Sequence, residues 1–103
     1  MKIRLLVSSI ALCFANFSCL PQDYSIKVDN TDRIYRIKLP ANYTESVKYP
    51  VVFVLHGYHT EVLSLRKYTG FDDKAEKAGF IAVYPQGTIN ENGYYLWNAG
   101  GIF

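Results

Sequence analysis

The sequence predicts a mixed α/β fold, in which an antiparallel hairpin is followed by a parallel strand–helix–strand unit. Residues 25–29 alternate apolar and polar side chains, as strands do when one face of a sheet is buried, and residues 33–39 place Ile34, Ile37 and Leu39 around Tyr35. Residues 51–55 and 80–84 are continuous apolar runs, which are typical of strands covered on both faces. The stretch 61–78 between them has helical spacing, and a crossover of this kind joins parallel strands.

The first two strands are predicted to pair as a hairpin at one side of the sheet. In residues 25–29, Ile26 and Val28 alternate with polar residues, and residues 30–32 supply the turn-forming sequence Asn-Thr-Asp. Pro40 ends the second strand, because proline has no backbone N–H to donate to a neighbouring strand.

The helical stretch is interrupted at Gly70, and its second half carries the clearer signals. Thr69 is the N-cap candidate, Asp72 and Asp73 lie in the first turn, and Gly79 marks the end. We therefore expect two helical segments between the two apolar strands.

Residues 1–18 have the pattern of a secretory signal peptide. Two positive charges within the first four residues are followed by an uncharged run, 5–15, which would rise only about 16 Å as a helix and is too short to span a bilayer. Cleavage can be placed after Ala15 or near Ser18. The sequence favours secretion, extracellular or periplasmic, over lipoprotein attachment at Cys19, because the preceding residues fit a lipid-attachment box poorly.

Removal of the signal changes the charge and the cysteine content. It takes away two of the 11 basic residues, and the remaining nine balance nine acidic residues, so the formal net charge falls from +2 to zero. No electrostatic reason remains for a nucleic-acid partner. Cys13 lies within the signal, so only Cys19 can remain and no intrachain disulfide can form.

A histidine–glycine pair follows the first apolar strand, at its carboxyl end. Ligands of open α/β sheets bind at the carboxyl ends of the strands, so His56, Gly57 and Tyr58 mark the expected position of a site. The glycine would allow a sharp turn that brings backbone N–H groups towards a ligand. The alternative is that the pair only closes the strand.

Three segments have a family pattern in their order and spacing. They are RIYRIKLPANYTESVKYPVVFVLHGY at 33–58, LRKYTGFDDKAEKAGFIAVYPQGT at 65–88 and WNAGG at 97–101. In these segments the chain resembles the amino-terminal part of secreted polyhydroxybutyrate depolymerases and of the related feruloyl and acetylxylan esterases.

That resemblance implies an α/β-hydrolase fold and a serine esterase acting on carboxylic esters of a plant polysaccharide or of a polyester. The family pattern places the oxyanion loop on His56, Gly57 and Tyr58, with the Tyr58 backbone N–H as the donor. Trp97 and Asn98 fall on a motif near the active-site face, where they either shape the substrate pocket or pin the loop. No metal or organic cofactor is implied.

The departures from the family pattern concern the nucleophile. No G-x-S-x-G occurs in the 103 residues, and the only histidines, His56 and His59, both lie in the predicted oxyanion loop. Their spacing is not diagnostic of a metal site. We therefore expect residues 19–103 to be the amino-terminal part of a hydrolase domain, truncated before its nucleophile elbow and inactive alone.

Two further expectations concern binding. The apolar strand 51–55 would form an exposed edge in such a fragment, and exposed edges pair with other chains, so self-association is predicted. Tyr94, Tyr95 and Trp97 could stack on sugar or aryl groups, although packing in the core is favoured. The competing hypotheses are a non-catalytic secreted module that binds a polysaccharide or a partner protein, and a dead gene fragment.

Overall fold

The computed structural model describes residues 23–99. The predicted signal peptide, the cysteine at position 19 and residues 100–103 lie outside this range. The elements in chain order are β1 (Asp23–Val28), β2 (Thr31–Lys38), β3 (Val51–Phe53), α1 (Val62–Thr69), α2 (Phe71–Ala78), β4 (Ile81–Pro85), β5 (Thr88–Ile89) and β6 (Tyr95–Leu96).

Four strands form a mixed sheet in the order β1-β2-β4-β3. Strands β1 and β2 are antiparallel, as are β2 and β4, whereas β3 and β4 are parallel, with Val52 opposite Ala82. The predicted hairpin and parallel strand–helix–strand unit are therefore confirmed. Strands β5 and β6 form a separate two-stranded sheet.

The β1–β2 turn is tighter than the sequence suggested. It consists of Asp29 and Asn30, which both have positive φ (47° and 61°), whereas we expected residues 30–32 to form the link. Two-residue turns with positive φ match the right-handed twist of paired strands, and Asp and Asn tolerate this conformation better than most residues. The register consequently pairs Val28 with Thr31.

A single glycine separates the two helices. Gly70, with φ of 65°, is both the C-cap of α1 and the N-cap of α2. The prediction that Thr69 caps α2 is wrong, because Thr69 is the last residue of α1 and its hydroxyl donates to the Leu65 carbonyl (2.8 Å). The predicted stop at Gly79 is confirmed: its φ is 71° and its N–H donates to the Ala75 carbonyl (2.9 Å).

Both helices pack on the same face of the sheet. The buried core consists of apolar side chains from β3 and its continuation, the two helices and β4: Val54, Val62, Leu65, Ala75, Ala82 and Tyr84. The opposite face exposes Val51, Phe53 and Leu55 by 51%, 65% and 59%. The expectation that strand 51–55 is covered on both faces therefore fails within residues 23–99, where these three side chains are largely exposed.

A buried polar group ties the helices to the sheet. The Tyr84 hydroxyl donates to the Asp72 carboxylate (2.6 Å), which also accepts from the Arg66 guanidinium (2.5 Å). Tyr84 is fully buried, and burial, with the Asp72 hydrogen bond and charge adding to it, raises the pKa of its phenol well above the ordinary value. Among residues 23–99, neither helix is long and apolar enough to cross a membrane.

Candidate functional site

The candidate site is the loop between β3 and α1. The parallel pairing continues one residue beyond β3, where the Val54 N–H donates to the Val83 carbonyl (2.9 Å). The chain then leaves the sheet through His56, Gly57 and Tyr58, next to the residues that follow β4. This is the carboxyl end of two parallel strands, where α/β sheets hold their ligands.

The His56 side chain is buried, with 3% exposure, and both of its ring nitrogens are occupied. Nε2 accepts from the Gly87 backbone N–H (2.8 Å) and from the Gln86 side-chain amide (3.1 Å). Because a backbone N–H can only donate, Nε2 carries no proton, and Nδ1–H donates to the Gly57 carbonyl (2.7 Å). His56 thus acts as a neutral ring that ties the loop to the segment after β4.

That segment was not assigned a role by the sequence. The Gln86 side-chain oxygen accepts from the Val62 N–H (2.9 Å) at the start of α1, so one side chain joins the helix to His56. Gly87 leaves no space for a larger residue, because an added Cβ would lie 2.9 Å from the Leu96 carbonyl carbon and 3.1 Å from His56 Nε2. Gln86 and Gly87 lie within the segment 65–88, which carries part of the family resemblance. That resemblance was the sequence feature that could have pointed to them.

Trp97 contacts the backbone carbonyl and the ring of the same histidine. Its indole N–H donates to the His56 carbonyl (2.8 Å), and the two ring centroids are 4.7 Å apart. This contact is compatible with the pinning role; Trp97 also lines an apolar groove, so the pocket role stays a prediction as well. Asn98 is exposed and makes no hydrogen bond within residues 23–99.

The backbone of the loop differs from the expectation at Gly57. This glycine does not have positive φ, and an added Cβ would meet only the Thr60 hydroxyl at 3.9 Å. The left-handed residue is His59, with φ of 64°, and its N–H donates to the Tyr95 carbonyl (3.0 Å). The sharp turn is therefore made two residues later than the sequence suggested.

Tyr58 presents both a free amide and an exposed ring. Its backbone N–H has no acceptor within residues 23–99, and its side chain is 71% exposed. The ring lies beside those of His59 and Tyr94, at centroid distances of 6.3 and 6.1 Å. An unpaired N–H at this position could donate to a developing oxyanion.

An apolar groove of about 360 Å³ lies on the uncovered face of the sheet. It is lined by residues of β1, β2, β3, β4 and the loops beyond them: Ile26, Arg33, Ile34, Tyr35, Phe53, Val83, Pro85, Gln86 and Trp97. Trp97 and Gln86 line the groove and also form hydrogen bonds with His56 of the loop. The groove and the loop are therefore adjacent at these two residues.

The described residues do not form a proton-transfer pair at this loop. Within residues 23–99, neither His56 nor His59 makes a hydrogen bond to a serine hydroxyl or a carboxylate. In the same range, no cluster of three or more His, Cys, Asp or Glu side chains could hold a metal ion. The loop can therefore offer backbone hydrogen bonds and aromatic surface.

Comparison with models of known protein families and with curated proteins finds no match to this chain.

Proposed function

We propose that residues 19–103 are the amino-terminal part of a secreted α/β-hydrolase-type esterase that cleaves carboxylic esters, similar to polyhydroxybutyrate depolymerases and feruloyl and acetylxylan esterases. The observation that carries this proposal is the position of the Tyr58 N–H. It lies unpaired, within the described residues, after β3, at the carboxyl end of a parallel pair. An esterase of this type uses an amide from the loop after its third strand as an oxyanion donor.

The fixed surroundings of this amide support such a role. Catalytic hydrogen-bond donors are effective when they are held in place before the reaction begins. His56 is held through its ring by Gly87 and through its carbonyl by Trp97, which fixes the start of the loop two residues before Tyr58.

In the proposed reaction, a serine supplied from outside these 103 residues attacks the ester carbonyl, and a histidine passes the serine's proton to the leaving alcohol. Water then cleaves the acyl-serine ester, which releases the acid and restores the serine hydroxyl. The carbonyl oxygen becomes an oxyanion, and the Tyr58 N–H donates to it. Loss of one such donor costs about 3–4 kcal/mol of transition-state stabilisation. The chain of 103 residues should not hydrolyse esters by itself, because it has no nucleophile elbow.

Among residues 23–99, the free edge of β3 is where the proposed nucleophile strand would pair. Strand β3 is the last strand in the order β1-β2-β4-β3, and the proposal places the nucleophile strand on its free side. We also propose that residues 1–18 direct export, so that the protein acts outside the cytoplasm.

The first test is the nucleotide sequence that follows the codon for Phe103. A reading frame that continues into G-x-S-x-G, followed by Asp and His, supports the esterase. A stop codon at this point, with stable expression of the short product, contradicts it and favours a non-catalytic binding module or a dead gene fragment.

The second test removes the Tyr58 amide from the protein encoded by the continued frame. Tyr58→Pro lacks the N–H and should lower kcat for p-nitrophenyl acetate about 10²–10³-fold. Tyr58→Ala is the matched control, because it removes the ring and retains the N–H. Equal activity in both variants would contradict the oxyanion role.

A further inference from the structure

Two loops bring three aromatic rings together beside the candidate donor. Tyr58 and His59 come from the β3–α1 loop and Tyr94 from the β5–β6 hairpin; we call these three residues the aromatic corner. The Tyr58 ring is steeply inclined to both neighbours, by 73° to Tyr94 and 63° to His59. His59 and Tyr94 lie against each other with centroids 3.9 Å apart. The His59 and Tyr94 rings are themselves inclined by 43°, so the three ring faces meet at steep angles.

The corner is held by backbone contacts, which leave its polar side-chain atoms available. The His59 N–H donates to the Tyr95 carbonyl (3.0 Å), and the Asn90 side chain accepts from the Tyr94 N–H (2.9 Å). Within residues 23–99, the hydroxyls of Tyr58 and Tyr94 and the ring nitrogens of His59 make no hydrogen bond. The apolar ring faces are thus bordered by free donors and acceptors.

The backbone of His59 adds a second observation. A residue with a side chain in the left-handed region costs roughly 1–2 kcal/mol relative to ordinary backbone. Such residues concentrate at functional sites. Glycine would adopt φ of 64° without this cost, yet the position carries an imidazole that lies against Tyr94. The backbone is therefore less favourable at the residue whose ring packs on Tyr94.

We propose that the aromatic corner is a stacking platform for a neutral sugar ring. A pyranose ring has a C–H face that packs on an aromatic face and a rim of hydroxyls that need donors and acceptors. The corner offers both, and none of its three side chains carries a permanent charge. Where the proposed esterase function holds, the sugar would lie next to the Tyr58 N–H and would belong to the ester's carbohydrate part.

The test measures binding and does not depend on esterase activity. The 103-residue chain is titrated with xylotetraose and with cellotetraose, and saturation-transfer NMR detects which ligand protons contact the protein. We expect saturation of the ring C–H protons by at least one tetrasaccharide. Tyr58→Ala and Tyr94→Ala should each weaken binding about three- to tenfold, the factor expected for one aromatic contact.

Tyr68→Ala is the matched control. Tyr68 is as exposed as Tyr58, at 73% against 71%, but it lies on α1 and pairs with no other aromatic ring among the described residues. Its loss should leave binding unchanged. His59→Gly should retain the turn, because glycine readily adopts φ of 64°, and should still weaken binding.

Three outcomes would overturn the proposal. They are no saturation by either tetrasaccharide, equal binding in Tyr58→Ala and Tyr68→Ala, and saturation of free ferulate with none of the sugars. If Tyr94→Ala unfolds, as far-UV circular dichroism would show, Tyr58→Ala decides the question because its ring is largely exposed. Absence of esterase activity in the continued protein would count against the proposed function and leave this result unaffected.

Discussion

The indole N–H of Trp97 donates a 2.8 Å hydrogen bond to the backbone carbonyl of His56, 41 residues earlier in the chain. The same histidine accepts a hydrogen bond through its ring from Gly87. The β3–α1 loop is therefore held by the carboxyl-terminal part of the described chain.

Replacement of Trp97 by phenylalanine tests this contact. Trp97→Phe retains an aromatic ring beside His56 and leaves the His56 carbonyl without its donor. We expect the free energy of unfolding to fall by about 1–3 kcal/mol, the cost of an unsatisfied buried polar group. Amide hydrogen exchange should also become faster at His59, whose N–H donates to the Tyr95 carbonyl (3.0 Å). Unchanged exchange at this residue would show that the hydrogen bond does not hold the loop.

The two glycines of the site should respond differently to an added methyl group. Gly87→Ala forces its Cβ against the Leu96 carbonyl and His56, so we expect a loss of about 1–3 kcal/mol. Gly57→Ala meets only the Thr60 hydroxyl at 3.9 Å and should be tolerated. Urea unfolding of the two variants measures the contrast. Equal destabilisation would mean that the close approach at Gly87 does not exist.

The buried Tyr84 phenol predicts a loss of stability at alkaline pH. Its pKa is raised in the folded state, so the stabilisation is complete below the ordinary tyrosine pKa of about 10 and is lost as the pH rises above it. Tyr84→Phe should be less stable at about pH 8, and the difference from the unmodified chain should shrink towards about pH 11. Thermal unfolding at both pH values checks this sign. A difference that grows with pH would contradict the assignment.

The exposed side of β3 predicts self-association of the 103-residue chain. Phe53 is 65% exposed on the uncovered face, and β3 carries no charged residue that would discourage strand pairing. Phe53→Lys should shift sedimentation towards monomer. Tyr68→Lys, at an equally exposed position on α1, should not. Monomeric sedimentation of the unmodified chain together with a sharp two-state melt would contradict this prediction.

The sequence predicted the sheet better than it predicted the site. Periodicity and glycine positions located the hairpin, the parallel pair and the break at Gly70, because these depend on side chains close in the chain. The role of Gln86 and the contact of Trp97 with His56 could not be derived this way, because they join residues 24 to 41 positions apart. The turn at His59 was missed because the nearby Gly57 is the residue type that adopts positive φ most readily, and the turn was therefore assigned to it.

The position of Gln86 has a consequence for how the loop is made during synthesis. Its backbone N–H donates to the Ile34 carbonyl (2.8 Å), while its side chain bonds to Val62 and His56. Residues 56–60 therefore leave the ribosome well before the groups that shape them. The loop can take its final form only after β4 and Trp97 have been translated, so its geometry is acquired late even though its sequence is made early.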